Sequence, residues 1–211
     1  PDVTGVSQDG ANFMAENMAS GPDTSRPDFS GDNREQSSQR PGGGTEAAPP
    51  GDQRDVTEEE LKKLFPADPY TEEFARLGMK LYQKNVITIK EEGFMELLTA
   101  IDLYLDNFVG KTMEISGFVY REPDMETNQF VISRLAMQCC SADAAPYGIL
   151  VESDEAAKLA QDTWVKITGT LGKTIYHENE IMKVDAVRIE PIRAPETPYV
   201  YPYFDEFDKL V

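Results

Sequence analysis

Histidine, cysteine, tryptophan and positive charge are all scarce in this sequence. Its 211 residues hold one His, two Cys and one Trp, and 20 basic side chains face 38 acidic ones, a formal net charge of −18. Phosphate binding needs a basic surface from which counterions are released, so this balance argues against a nucleic-acid partner. No apolar run approaches the roughly 18 residues of a membrane-spanning helix. No Ser/His/Asp set is readable. The run Gly42-Gly43-Gly44 has neither a strand before it nor a helix after it, as a phosphate loop would require. The sequence therefore gives no support to catalysis, and we expect a protein that is not an enzyme.

Apolar residues are unevenly spread. Residues 1–55 contain no Leu, Ile, Tyr or Trp, while Gly, Pro and Ser make up 20 of the 55. Such a segment buries too little apolar surface to offset the entropy of ordering it, and is expected to form a disordered acidic tether with net charge −6. The other 156 residues carry −12 and suffice for a core. The chain starts at Pro1 without Met, which reads as a fragment or a processed form whose missing part could hold an anchor or export signal.

Order is expected from Thr57. Thr57-Glu58-Glu59-Glu60 matches a capping box, with Leu61, Leu64 and Phe65 behind it and Pro66 and Pro69 as stops. Thr71 is expected to cap a second helix bearing Phe74, Leu77, Leu81 and Tyr82 on one face. Val86 to Ile89 reads as a short strand. Glu91 to about Phe108 reads as one amphipathic helix closed by Gly110. Residues 56–110 thus form a helical subregion.

At Lys111 the apolar period changes to two. Strands are expected at Met113–Val119, with Gly117 at a barrel bend, at Phe130 towards Met137, and at 148–152. A short helix at 155–161 follows, then strands at 164–171 and from about Ile181 to Ile189. Three strands, a helix and two strands is the order of an OB-fold. The chain is therefore read as mainly β with flanking helices (α+β), a five-stranded Greek-key barrel over 111–194 and an aromatic, Pro-rich tail over 195–211. OB barrels often bind oligonucleotides, but residues 111–152 carry three basic groups against six acidic ones. Phe118, Tyr120, Phe130 and Tyr147 thus lack the basic track that base stacking requires.

The unusual chemistry lies at Met137-Gln138-Cys139-Cys140-Ser141-Ala142-Asp143. Adjacent cysteines admit four readings. They could be small structural residues, a strained vicinal disulfide, a redox thiol without Cys-x-x-Cys spacing, or ligands for zinc or another thiophilic metal, completed by Asp143 and His177. His177 sits at the expected tip between the last two strands, a loop that in OB barrels overhangs the binding face. Arg134, within a strand, reads as an ion-pair partner of Asp143 or a ligand contact. The tail's aromatic residues, from Tyr199 to Phe207, would either pack along the barrel or dock on a partner.

The segments GFVYRE (117–122), NQFVISRLAMQCCSADAAPYGILVE (128–152), TWVKITGTLGKT (163–174) and PYVYP (198–202) resemble the C-terminal domain of the YcgQ-like family. That family is described as a candidate permease subunit, with an N-terminal membrane part before an extracytoplasmic domain of unknown function. Its pattern falls on Gly117, Phe118, Val119, Arg134, Cys139, Cys140, Ala142, Asp143, Trp164, Gly169, Pro198, Tyr199 and Pro202. The resemblance implies a subunit tethered to the extracytoplasmic face of the cell membrane and partnered with a multi-span permease. The resulting expectation is a non-catalytic binding or interaction domain. A metal- or redox-active thiol site is the alternative, and an oligonucleotide-binding barrel a further one.

Overall fold

A computed structural model describes residues 57–211 apart from Ser141, so the tether read over 1–55 lies outside the described residues. Helix α1 (Glu58–Leu64) starts at a complete capping box. Glu60 N donates to Thr57 Oγ1 at 3.4 Å and Thr57 N to Glu60 Oε2 at 2.9 Å, and buried Leu61 and Phe65 anchor the turn. Helix α2 (Glu72–Tyr82) buries Leu77 and Leu81. Its entry differs from expectation. Thr71 makes no side-chain cap; Asp68 Oδ1 instead accepts from the backbone of Tyr70 and Thr71 at 2.8 and 2.9 Å.

The helix expected over 91–108 is two pieces, α3 (Phe94–Leu103) and α4 (Leu105–Phe108). Gly93 has φ +69, which excludes it from the helix and starts α3 late. Tyr104 leaves helical geometry at φ −124 because its hydroxyl donates to Pro66 O at 2.9 Å and its ring packs on Phe65.

The strands are β1 (Val86–Thr88), β2 (Thr112–Tyr120), β3 (Gln129–Ala136), β4 (Ala145–Glu152), β5 (Trp164–Tyr176), β6 (Asn179–Pro191) and β7 (Tyr199–Val200). Antiparallel pairing runs β5–β2–β3–β4 and β5–β6, and a parallel β4–β6 pairing closes the ring. This closed five-stranded barrel has the OB-fold order that the element sequence predicts. Alternating residues fill it, among them Met113, Ile115, Val119, Phe130, Ile132, Ile149, Val151, Val165, Ile167 and Val184. Gly117 is required where β2 bends onto β3, since a Cβ there would lie 2.4 Å from Ser133 O.

Two elements extend the barrel. β1 adds parallel to β2, and β7 adds parallel to β3 beyond the point where β2 leaves it, Leu135 opposite Tyr199. The C-terminal strip thus packs along the barrel for part of its length: Val200 and Leu210 are buried, and Phe207 meets Phe74 at 5.0 Å, while Phe204 is 92% exposed. The helix expected at 155–161 is a single 3₁₀ turn, Ala156–Lys158, because the Arg121 guanidinium takes the carbonyls of Ala156 and Leu159. Strands β5 and β6 run further than their apolar patterns, to a tight tip at His177-Glu178.

Candidate functional site

The loop between β3 and β4 is organised by one carboxylate. Asp143 Oδ2 accepts from Cys139 N at 2.7 Å, and Oδ1 accepts from Gln138 N at 3.3 Å and Cys140 N at 3.4 Å. These donors, with the Cys139 thiol ahead of them, hold Asp143 below the ordinary carboxylate range. Both cysteines are free and exposed, with Sγ atoms 3.8 Å apart. Asp143, and after it Cys140, push the Cys139 thiol above its ordinary value. A raised thiol is protonated and weakly nucleophilic, the opposite of the lowered value that a redox cysteine needs.

Arg134 does not reach Asp143. Its Nη1 pairs with Glu91 at 3.3 Å, its Nε donates to Ser116 O at 3.0 Å, and its guanidinium lies 4.8 Å over the Trp164 ring. Glu91, just before α3, is the acid that the buried Arg134 reaches. Next to it, Glu91, Glu92 and Gly93 face Tyr199–Tyr203 across an open trough of about 430 Å³. Met137 N donates to Val200 O at 3.0 Å, so the cysteine turn follows directly from β7's pairing. Arg134, the Cys139–Asp143 turn and the PYVYP strip therefore share one end of the barrel.

His177 is at the other end. The β5–β6 tip folds over the 121–128 loop between β2 and β3, and His177 Nε2 sits 2.7 Å from Asp124 Oδ2. The cysteine turn follows β3 while this loop precedes it, and the strand between covers about 23 Å at roughly 3.3 Å per residue. Cys139, Cys140, Asp143 and His177 are consequently not one ligand set, and the sequence expectation that joined them is corrected by the position of β3. The structure instead gathers Glu122, Asp124 and His177, one ligand atom of each lying within 4.8 Å of the others. Tyr176 joins them, its hydroxyl 2.9 Å from Glu122 Oε2 and 3.3 Å from Asp124 Oδ1. Burial, ahead of the other influences, raises Glu122 above its ordinary value; burial and both acids raise Tyr176. Sequence reading missed Glu122, Asp124 and Tyr176 as site residues. The available signal was the OB order itself, which brings the first and last loops of the barrel together.

Residues 64–202 match the family described as DUF1980 C-terminal domain. A Bacillus subtilis relative, UPF0703 protein YcgQ, is 30% identical over 139 residues, covering 65% of this chain and 49% of the relative. A Streptococcus mutans protein named as a candidate subunit of a two-component membrane permease complex is 27% identical over 143 residues, covering 66% and 52%. The chain thus spans about half the length of these curated relatives. Among solved structures, a small single-stranded DNA-binding protein from Streptomyces coelicolor aligns with TM-score 0.27 and 13% identity over 39% of this chain and 94% of that one. The N-terminal domain of a PriB protein from Thermoanaerobacter tencongensis aligns with TM-score 0.26 and 23% identity over 39% and 97%. Neither structural likeness bears on function.

Proposed function

This chain belongs to the DUF1980 C-terminal domain family, and from that premise we propose that it is the non-catalytic, extracytoplasmic interaction domain of a membrane permease complex subunit. The observation that carries the reading is its similarity to the Streptococcus mutans protein named for such a complex. A multi-span permease is the partner in this reading. Among the described residues no helix is long and apolar enough to cross a membrane. The barrel end where the exposed cysteine turn lies next to the PYVYP strip supports the reading, because it offers a partner a surface built from segments far apart in sequence. Two acids at the mouth formed by the 121–128 loop and the β5–β6 tip disfavour an oligonucleotide on the face where other OB barrels take one.

Sidedness is testable through the exposed thiols of Cys139 and Cys140. In intact cells expressing the full-length protein, treated first with a membrane-impermeant reductant, an impermeant maleimide is expected to label the protein. The variant Cys139→Ser/Cys140→Ser is expected to lose the labelling that these two thiols carry. Labelling that needs permeabilised cells would place the domain on the cytoplasmic side and overturn this part of the reading.

One observation favours a second reading, a thiophilic metal held by the cysteine pair. Two thiolates at 2.3 Å from a tetrahedral ion stand about 3.8 Å apart, and the two Sγ atoms are 3.8 Å apart with Asp143 beside them. Binding would deprotonate the thiols, so Zn²⁺ uptake by reduced protein should release protons and lose one equivalent in Cys139→Ser/Cys140→Ser. Equal uptake by both proteins would leave the pair a structural feature.

A further inference from the structure

We propose a second metal site, for a divalent cation of zinc's class, made by Glu122, Asp124 and His177 where the β5–β6 tip meets the loop between β2 and β3. It is independent of the membrane reading and of the cysteines. The donors are those a borderline cation takes: one imidazole nitrogen and two carboxylate oxygens, already within 4.8 Å of one another. Atoms about 2.1 Å from one ion are at most about 4.2 Å apart. The set therefore has to draw in by about half an ångström, which Asp124 and His177 can do because their side chains are half exposed.

A hydrogen-bonded acidic cluster would not by itself call for a ligand. Glu122 does. Its side chain is buried, with 6% of the residue exposed, and its Oε1 is enclosed without a hydrogen-bond partner while Oε2 accepts from Tyr176. A buried carboxylate oxygen left unpaired is costly, and a bound cation would remove that cost. The neighbouring cation is committed elsewhere: Arg121 donates both guanidinium nitrogens to the carbonyls of Ala156 and Leu159. Among the described residues no Lys or Arg pairs with Glu122 or Asp124; the partner of Asp124 is His177. Three protein ligands leave a fourth tetrahedral position open to water or to a carried group. Calcium and magnesium, which prefer shells of oxygen, suit an imidazole-containing set less well.

The test uses the 211-residue chain carrying Cys139→Ser/Cys140→Ser, stripped with chelator and titrated calorimetrically with ZnCl₂ alone. The expected result is one saturable equivalent of Zn²⁺, weakened roughly tenfold or more by His177→Ala and by Asp124→Asn. Both substitutions are at exposed positions, so loss of fold does not confuse the outcome. Glu122→Gln should weaken binding likewise. No saturable binding, an affinity unchanged in both exposed-site variants, or equal affinity for Ca²⁺ would overturn the proposal. Loss of binding in the cysteine-free chain alone would assign all zinc to the cysteine turn and overturn it too.

Discussion

His177 and Glu178 hold φ of +48 and +67, the left-handed region in which side chains other than Gly are strained. Two such residues in succession form the turn that best matches the twist of a two-residue hairpin, and Asn-Gly is the usual solution. Here a His and a Glu occupy it, so the tip gives up stability to set an imidazole beside Asp124. Glu178→Gly should raise stability by about 1 kcal/mol in urea melts without moving His177; no gain would mean the turn is unstrained. Asp102 in α3 offers a test of the opposite kind. Burial pushes its carboxyl up to about 6 from 3.8. The folded state therefore binds this proton more tightly than the unfolded chain. The stability associated with the protonated group is complete below pH 3.8 and declines until pH about 6. Asp102→Asn should remove that decline, leaving the variant more stable than the parent by about 3 kcal/mol at neutral pH and equal to it near pH 3.5. Parallel pH profiles for the two proteins would contradict it.

Among the elements, the C-terminal strip has the least regular structure and the most specific anchors. Tyr203 N donates to buried Glu96 Oε1 at 3.0 Å, and Leu210 closes over Gly93, where a Cβ would lie 2.3 Å from Leu210 Cδ1. Leu210→Ala should cost about 2–5 kcal/mol by cavity formation. Gly93→Ala should exceed the roughly 1 kcal/mol of its left-handed φ alone. Because both changes act at one contact, the double variant should cost less than their sum, and strict additivity in denaturant melts would show the contact to be unimportant. The barrel was legible in the sequence because alternation from Met113 onward, Gly117 at a bend and the strand order are local signals. The breaks at Gly93 and Tyr104 were not. The first depends on Leu210, which closes over Gly93, and the second on a hydroxyl reaching Pro66, both contacts made only after folding. The same reason hid most of the candidate sites. Cys139, Cys140 and Asp143 are close in sequence and were found together, whereas Tyr176 and Glu122 are 54 residues apart and meet only through barrel closure.

At the scale of the molecule, the scarcity of positive charge is uneven in its consequences. The segment before residue 56 carries −6, and the remainder carries −12. Within that remainder, the barrel mouth sets Glu122 and Asp124 beside the chain's single His. The opposite end sets Arg134 and both cysteines beside the PYVYP strip. An OB barrel supplies both surfaces on one frame, with the fold itself neutral as to what they bind. On this account the cation-binding mouth and the permease-facing end are separate, so the Zn²⁺ variants should leave membrane assembly intact. The account is tested most directly by purifying the tagged full-length protein from detergent-solubilised membranes and quantifying what elutes with it. A multi-span permease encoded alongside should appear in fixed stoichiometry, and reciprocal tagging should recover the same complex. Elution of the tagged protein alone, from membranes in which that permease is present, would contradict the account.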